Sequence, residues 1–459
     1  MSAEATLVER PGVEIELGRP ATRLSTGALL RVSLYWLGLS AVFIGLNQIL
    51  TGRMEAGLLG PDVKREVGGT LFRLTAAGSV IAALVQPTVG TLSDYTVTRW
   101  GRRKPYIVIG SALDLVFLAG VALSSSLVSI AAFILMLQVS SNFAQGPFQG
   151  YIPDLVPHGQ TGTASSLVGL FSVLGQVSGF GIAAAAIASG SFVAGTLALG
   201  VLEFTTMFAV VLRVPPGPPA RERGGRSWAS VAREAWGDDV LRQRGFALIV
   251  LSRLLILMGG TMLINFSTLY LIRTLGIARE ATFGPNMTLL AVIIAGNVVA
   301  VIPAGRVGDR VGRRPVVWAA CVMAAIGMGL VVAASGPAGT LPPSAVLGAA
   351  LFGTGLGSFL SVDWALLTSV VPGASGGRYM GISNVATAMA GVLAIATGGP
   401  LLDAVDASSY GNGPRAAFVL AVFYLVAGML PLLGVKEPRP AIPPAGSPAG
   451  ALEARRGPG

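Results

Sequence analysis

The sequence is poor in the residues from which active sites are built. It has one cysteine, Cys321, and one histidine, His158. A single cysteine excludes an intrachain disulfide, and because Cys321 lies in an apolar run its ordinary role is that of a small buried hydrophobe. A single imidazole in a predicted loop, with no cysteine or acidic cluster beside it, builds neither a zinc site nor a catalytic triad. The pattern GxxxxGK[ST] does not occur, which argues against ATP-driven pumping by this chain alone. Charge is scarce as well. Asp, Glu, Lys and Arg make up 12% of the 459 residues, whereas hydrophobic residues make up 53% and the mean hydropathy is +0.71. No soluble core needs that much apolar surface, so the composition predicts a chain embedded in lipid, with no catalytic residues, metal or cofactor.

Hydropathy places membrane spans near residues 30–51, 73–92, 106–124, 127–150, 164–187, 191–212, 246–272, 285–304, 316–334, 342–371, 379–402 and 414–435. A helix of roughly 20 residues rises about 1.5 Å per residue and so crosses a hydrocarbon core of about 30 Å. The expected architecture is an all-α membrane protein of two six-helix bundles, 30–212 and 246–435. They are joined by an Arg-, Pro- and Gly-rich linker, 213–245, that becomes helix-like around Ser227 to Ala235. Residues 1–29 and 436–459 read as tails, the second rich in Pro, Ala and Gly. The first tail carries acidic and basic residues but no short apolar core with a cleavage site, so a signal peptide is not expected.

The net charge of +10 would suggest nucleic acid in a soluble protein. Here 23 of the 32 Lys and Arg residues fall on one side of the predicted spans, 6 on the other, counting Arg415 at the edge of the last span, and the remaining 3 within spans. That asymmetry sets orientation in a cell membrane, with both termini and the linker cytoplasmic, and no nucleic-acid partner is expected.

An internal repeat is the most specific signal. Gly90 and Asp94 precede Gly101-Arg102-Arg103, and Gly305 and Asp309 precede Gly312-Arg313-Arg314. The offset of 215 between the two copies also carries Pro157 onto Pro372. Two landmarks sharing one offset indicate a duplicated six-helix unit.

These residues resemble the major facilitator superfamily, whose signature after spans 2 and 8 is this Gly, Asp and Gly-Arg-Arg cluster. The first copy has four extra residues between Asp94 and Gly101, which is similar to the glycoside, pentoside and hexuronide cation symporters and the sucrose/proton symporters. Tyr151-Ile-Pro-Asp154-Leu-Val-Pro157 and Val362-Asp363-Trp364 look like that branch too. The resemblance implies alternating access by rocking of two halves, with spans 1, 4, 7 and 10 lining a central cavity. It also implies that Asp94 and Asp309, with Arg102, Arg103, Arg313 and Arg314, close the cytoplasmic side by capping helices of the opposite half. Against this, the basic residues of the two motifs are also what topology alone would require. Two departures are visible. Span 2 lacks the acidic residues of the sodium-coupled members, and span 5 lacks the Gly-Pro-rich signature of drug/proton antiporters.

Polar residues inside spans are costly and mark function by default. Gln138, Asn142, Gln145 and Gln149 in span 4 are spaced 4, 3 and 4, which puts them on one helical face. Amides both donate and accept, as a hydroxyl-rich solute requires, but the same row could fasten helices together. Asn47 and Gln48 in span 1, Gln176 in span 5, Asn265 in span 7 and Asn297 in span 8 extend the candidate cavity, each open to the same two readings. Asp363 in span 10 and Arg253 in span 7 are deep charges: either they take part in proton coupling or they form a structural pair. Asp114 in span 3 and Glu203 in span 6 are expected to serve packing or snorkelling, because those spans are peripheral in the resembled family.

The expectation is therefore a secondary transporter, working as a monomer in the bilayer and moving a sugar or glycoside with a proton. Two alternatives are export of a drug-like or lipid-like metabolite, and a non-transporting assembly or receptor protein.

Overall fold

The structure, a computed structural model, describes residues 23–60, 67–157, 160–237, 242–278, 281–371 and 376–435. His158 and Pro372, both singled out in the sequence, lie outside these residues.

Among the described residues, twelve helices are long and apolar enough to cross a membrane. Spans 1 to 6 are Thr26–Met54, Arg73–Asp94, Lys104–Leu123, Leu127–Leu155, Thr161–Ser189 and Phe192–Arg213. Spans 7 to 12 are Arg244–Thr274, Gly284–Val311, Arg313–Ala333, Pro343–Thr368, Arg378–Ser408 and Gly413–Gly434. Several run beyond the expected limits. Span 8 continues to Val311 and span 11 to Ser408, and a helix of 31 residues is about 46 Å long, enough to reach through the headgroup layers. Span 1 is in two pieces, Thr26–Ser33 and Tyr35–Glu55, that meet at Leu34. Ser25 caps the first piece, its hydroxyl accepting from the Ala28 amide at 3.3 Å.

The packing repeats with a period of six helices. Span 1 packs on spans 5 and 6, span 3 on 4 and 6, and span 2 on 4; span 7 packs on 11 and 12, span 9 on 10 and 12, and span 8 on 10. Between the halves, span 2 meets 11 and span 5 meets 8, again a pair of equivalent contacts. The duplication read from two short motifs thus extends to the whole helix arrangement. Small residues make the close approaches possible: a Cβ on Gly179 would lie 2.5 Å from the Ala41 carbonyl oxygen of span 1. The repeated Gly101 and Gly312 have φ of +93° and +95°, left-handed values that an L side chain resists, and each turns the chain into the following span.

The linker is not a plain tether. Trp228–Glu234 is a helix capped by Ser227, within the stretch that read as helix-like. It docks on Tyr95, in the lengthened stretch of the first motif: Tyr95 donates to the Glu234 carboxylate at 2.9 Å, and Arg221 and Arg226, which precede the helix, each sit 5.0 Å from the Tyr95 ring centre. Trp236 Nε1 donates to Thr88 Oγ1 of span 2 at 3.1 Å.

Candidate functional site

We call the face that carries the linker and the two Gly-Arg-Arg turns the basic face. There the halves are locked together. On span 5 the cross-half contacts fall at its start: Thr161 Oγ1 accepts from Arg313 at 2.6 Å, Gly162 lies against Asp309, Ser165 Oγ accepts from the Ala365 amide at 3.2 Å, and Ser166 bonds Ser361 at 3.0 Å. On span 10 the partners fall at its end, where every residue from Ser361 to Thr368 is buried. One apolar core runs from the basic-face ends of spans 1, 3, 4, 5 and 6 into the carboxy-terminal half, while the far portion of the amino-terminal half has a separate, smaller core around Ala41, Leu118 and Ala183. The halves therefore share a core only near the basic face.

Toward the far face the inner helices are free on one side. Trp36, Phe43 and Asn47 lie along one face of span 1 by helical spacing. Trp36 points at the other half, its ring centre 5.2 Å from that of Trp364, so Phe43 and Asn47 face the space between the halves, and Phe43 is 63% exposed. Asn265, exposed, and Thr261 form the matching stripe on span 7.

At the depth where open space gives way to the closed seam lies a cluster of amides. Gln86 of span 2 donates to both Asn142 and Gln145 of span 4, and Asn384 of span 11 donates to Gln86 from the opposite half. Asn142 in turn donates to the Gln138 carbonyl at 2.6 Å. Three members of the span 4 row thus join one network, and the fourth does not. Gln149 is 1% exposed, with both amide atoms unpartnered inside the closed seam, because the halves meet over this end of the helix. Gln48 is half-buried. Asn297 departs from the expected cavity position. It packs at the contact of spans 8 and 10, where a Cβ on Gly357 would lie 2.6 Å from its backbone.

Arg253 and Asp363 form a buried ion pair at 2.6 Å. Arg253 also donates to Thr387 of span 11 at 3.1 Å and lies 5.6 Å from the centre of the Trp364 ring, so it ties spans 7, 10 and 11 to the Trp364–Trp36 contact between halves.

The two repeat motifs are used differently. Asp309 reaches across to the first turn of span 5, beside Arg313, and Gly305 leaves room for Ser166 of the opposite half. Arg314 turns to the Val435 carbonyl, at 2.7 Å, and to Trp318. Asp94 instead stays in its own half. It lies 3.0 Å from Arg103 and 3.9 Å from Arg102, and both arginines also hold Asp154, each at 2.6 Å. All four side chains are buried. Burial alone would lower the Arg103 pKa, but Asp154 and Asp94 outweigh it and raise it above the usual arginine value. Gly90 packs close to Gly146 of span 4.

Gln86, Asn384 and Asp154 are the residues that reading the chain missed. Gln86 and Asn384 were visible as lone amides inside spans 2 and 11, which the resemblance treats as walls rather than lining. Asp154 was visible in the Tyr-Ile-Pro-Asp string, but nothing along the chain pairs it with Arg103.

The family model for the Major Facilitator Superfamily matches residues 33–394 and 249–456. Among curated proteins, a sucrose transport protein of Oryza sativa subsp. japonica is 28% identical over 126 residues, 22% of this chain and 23% of that one. The membrane-associated transporter protein of Mus musculus is 29% identical over 120 residues, covering 22% of each chain. The chain thus spans less than a quarter of the length of the curated relatives it matches. Solved structures match over far more. The human organic anion transporter MFSD10 superposes with a TM-score of 0.68 at 16% identity, covering 88% of this chain and 98% of that one. The proton:xylose symporter XylE superposes with a TM-score of 0.64 at 16% identity, covering 90% and 97%. At such identity the likeness is one of fold.

Proposed function

Because the chain belongs to the major facilitator superfamily, we propose that it is an alternating-access transporter that takes up a sugar or glycoside together with a proton. One observation carries this reading: the amide network of Gln86, Gln138, Asn142, Gln145 and Asn384 bridges the two halves where the open space ends. Amides that hydrogen-bond one another can exchange those partners for sugar hydroxyls at little cost, and a solute that does so touches both halves at once. The sucrose transport and proton:xylose symport named for two of the similar proteins favour the same solute class. In this reading the basic face is cytoplasmic in the cell membrane, the conformation described is outward-facing, and Asp309 and Arg313 are the gate that closes it. The transporter acts as a monomer, since the site is complete within one chain.

The test is uptake into proteoliposomes holding the pure protein under an inward proton gradient. Accumulation of a labelled sugar, lost in Gln145→Ala and Asn384→Ala, is the expected result. Passage of another solute class with no sugar uptake would overturn it. A second reading, export of a drug-like or lipid-like compound, draws on Phe43, whose exposed ring faces the same space. It predicts flux of hydrophobic compounds insensitive to Gln145→Ala.

A further inference from the structure

Four helices of the amino-terminal half bring a second polar group together away from the amide network. Tyr35 of span 1 donates to Glu203 of span 6 at 2.9 Å and bonds Ser111 of span 3, while Ser140 of span 4 donates to Asp114 of span 3. The Asp114 and Glu203 carboxyls are within hydrogen-bonding reach of each other. All five side chains are buried, none more than 2% exposed. Two close helix contacts make the meeting possible: a Cβ on Gly38 would lie 2.6 Å from the Glu203 backbone, and one on Gly110 would lie 2.6 Å from the Ser140 carbonyl.

Depth makes the pair unusual. Tyr35 and Asp114 are nine and ten residues from the basic-face ends of spans 1 and 3, and Glu203 is ten from that of span 6. At about 1.5 Å per residue all three lie about 15 Å in, near the middle of the hydrocarbon core. An acid there needs a cation or a proton. Among the described residues no arginine or lysine reaches the pair; the groups facing it are Tyr35, Ser111, Ser140 and Ser141. Asp114 Oδ2 is buried with no donor directed at it. A carboxyl can donate to another carboxyl only while it holds its own proton, and two carboxylates at this distance would repel. The Arg253–Asp363 pair is the opposite case, because its carboxylate is already neutralised.

We propose that Asp114 and Glu203 form a proton-binding dyad, and that its occupancy is linked through Tyr35 and Trp36 to the contact between the halves. This rests on the transporter reading above. Binding adds one proton to one carboxylate oxygen and release returns the carboxylate; Tyr35 then turns its hydrogen bond toward whichever oxygen is charged. Tyr35 follows Leu34, where the two pieces of span 1 join in helical conformation, and its ring is edge-on to Phe148 at 4.9 Å. The next residue, Trp36, makes the contact with Trp364. A shift at Tyr35 therefore acts on the seam that must open when the basic face opens.

The proton itself is the probe. Lipid-reconstituted protein is titrated from acid to alkaline while its infrared spectrum is recorded in H2O and D2O. A deuterium-sensitive protonated-carboxyl band is expected in the wild type and in the charge-balanced Arg253→Met, Asp363→Asn variant, and is lost in the Asp114→Asn, Glu203→Gln double variant. The same band persisting in the double variant would overturn the dyad. Spin labels at Leu58→Cys and Tyr410→Cys, both on exposed far-face loops, in a Cys321→Ser background read the distance between halves. The wild type should change its distance distribution with pH, and Tyr35→Phe, which keeps both acids, should retain the band with a shifted frequency but lose the distance response. An unaltered distance response in Tyr35→Phe would remove the link to the halves. Sugar uptake failing beside an intact, dyad-dependent band would sink the sugar reading while supporting the dyad. Gradient-driven uptake unchanged in the double variant would do the reverse.

Discussion

Asp154→Asn and Asp309→Asn should have opposite consequences, although both touch arginines of the repeated motif. In the first motif two guanidinium groups and two carboxylates balance inside the amino-terminal half. Asp154 accepts from Arg102 at 2.6 Å and from Arg103 at 2.6 and 3.1 Å. An Asn there turns an NH2 toward one of these donors and leaves a net positive charge with no solvent to screen it. Removing one partner from a buried ion pair costs about 3–5 kcal/mol, a large share of the roughly 5–15 kcal/mol that holds a typical domain together. Asp309 is half-buried at the start of span 5. Charge at a helix amino terminus is worth about 0.3–1 kcal/mol, and a partly exposed pair about 0–1 kcal/mol. That is too little to unfold the chain but enough to change the ratio of closed to open forms about fivefold. Two measurements separate the effects: thermal inactivation in detergent, and the rate at which a thiol reagent reaches a cysteine placed at Ser165 in the closed seam. Asp154→Asn should inactivate at a much lower temperature, with unchanged labelling of the surviving fraction. Asp309→Asn should inactivate near the wild-type temperature and label about five times faster. Equal behaviour of the two variants would refute the claim that the repeat has split its roles between fastening and gating.

Two further outcomes follow from the backbone and the linker. Gly101→Ala and Gly312→Ala should each cost about 1–3 kcal/mol, because both glycines hold a positive φ that alanine resists, and at Gly101 a Cβ would also lie 2.7 Å from the Pro216 carbonyl oxygen. A lower thermal inactivation temperature in each variant is the expected result, and an unchanged temperature would refute the backbone argument. Trp236→Ala removes the bond to Thr88 and should speed proteolysis between Pro215 and Gly237 several-fold without lowering the inactivation temperature of the bundle; unchanged proteolysis would mean that the linker's other contacts, those with Tyr95 and Asp94 among them, suffice to hold it.

What the chain could disclose about itself was local. Runs of about 20 apolar residues gave the twelve spans, since a helix in lipid must satisfy its own backbone and nothing shorter crosses. The Gly-Arg-Arg repeats were readable because their two copies share one offset with a second landmark, and the linker helix because the composition turns helix-like from Ser227 to Ala235. Contacts between helices distant in sequence were not readable. The period of span 4 put Gln138, Asn142 and Gln145 on one face, but their partners Gln86 and Asn384 come from spans 2 and 11, and no periodicity along one helix points to another. The same limit hid Asp114 and Glu203. Each alone looked like a stray acid on a peripheral helix, and only the approach of spans 3 and 6 makes them a pair.

One question left open by the sequence, whether Arg253 and Asp363 couple a proton or only fasten helices, is now decidable by a double-mutant cycle. The structure puts them 2.6 Å apart, 4% and 2% exposed, with Thr387 and Trp364 completing the surroundings of the guanidinium. Asp363→Asn strands a buried cation and Arg253→Met strands a buried carboxylate, so each should destabilise by about 3–5 kcal/mol. The double variant Arg253→Met, Asp363→Asn has no stranded charge, and replacing both members of a buried pair is often neutral or stabilising. Its inactivation temperature should return to near the wild-type value, an interaction well beyond the few tenths of a kcal/mol expected of independent sites. Transport then separates the two roles. If the pair is a fastener, the rescued double variant still accumulates solute against its gradient. If Asp363 takes up the coupled proton, the double variant is stable and exchanges solute but no longer accumulates it, which would move the coupling role from Asp114 and Glu203 to Asp363.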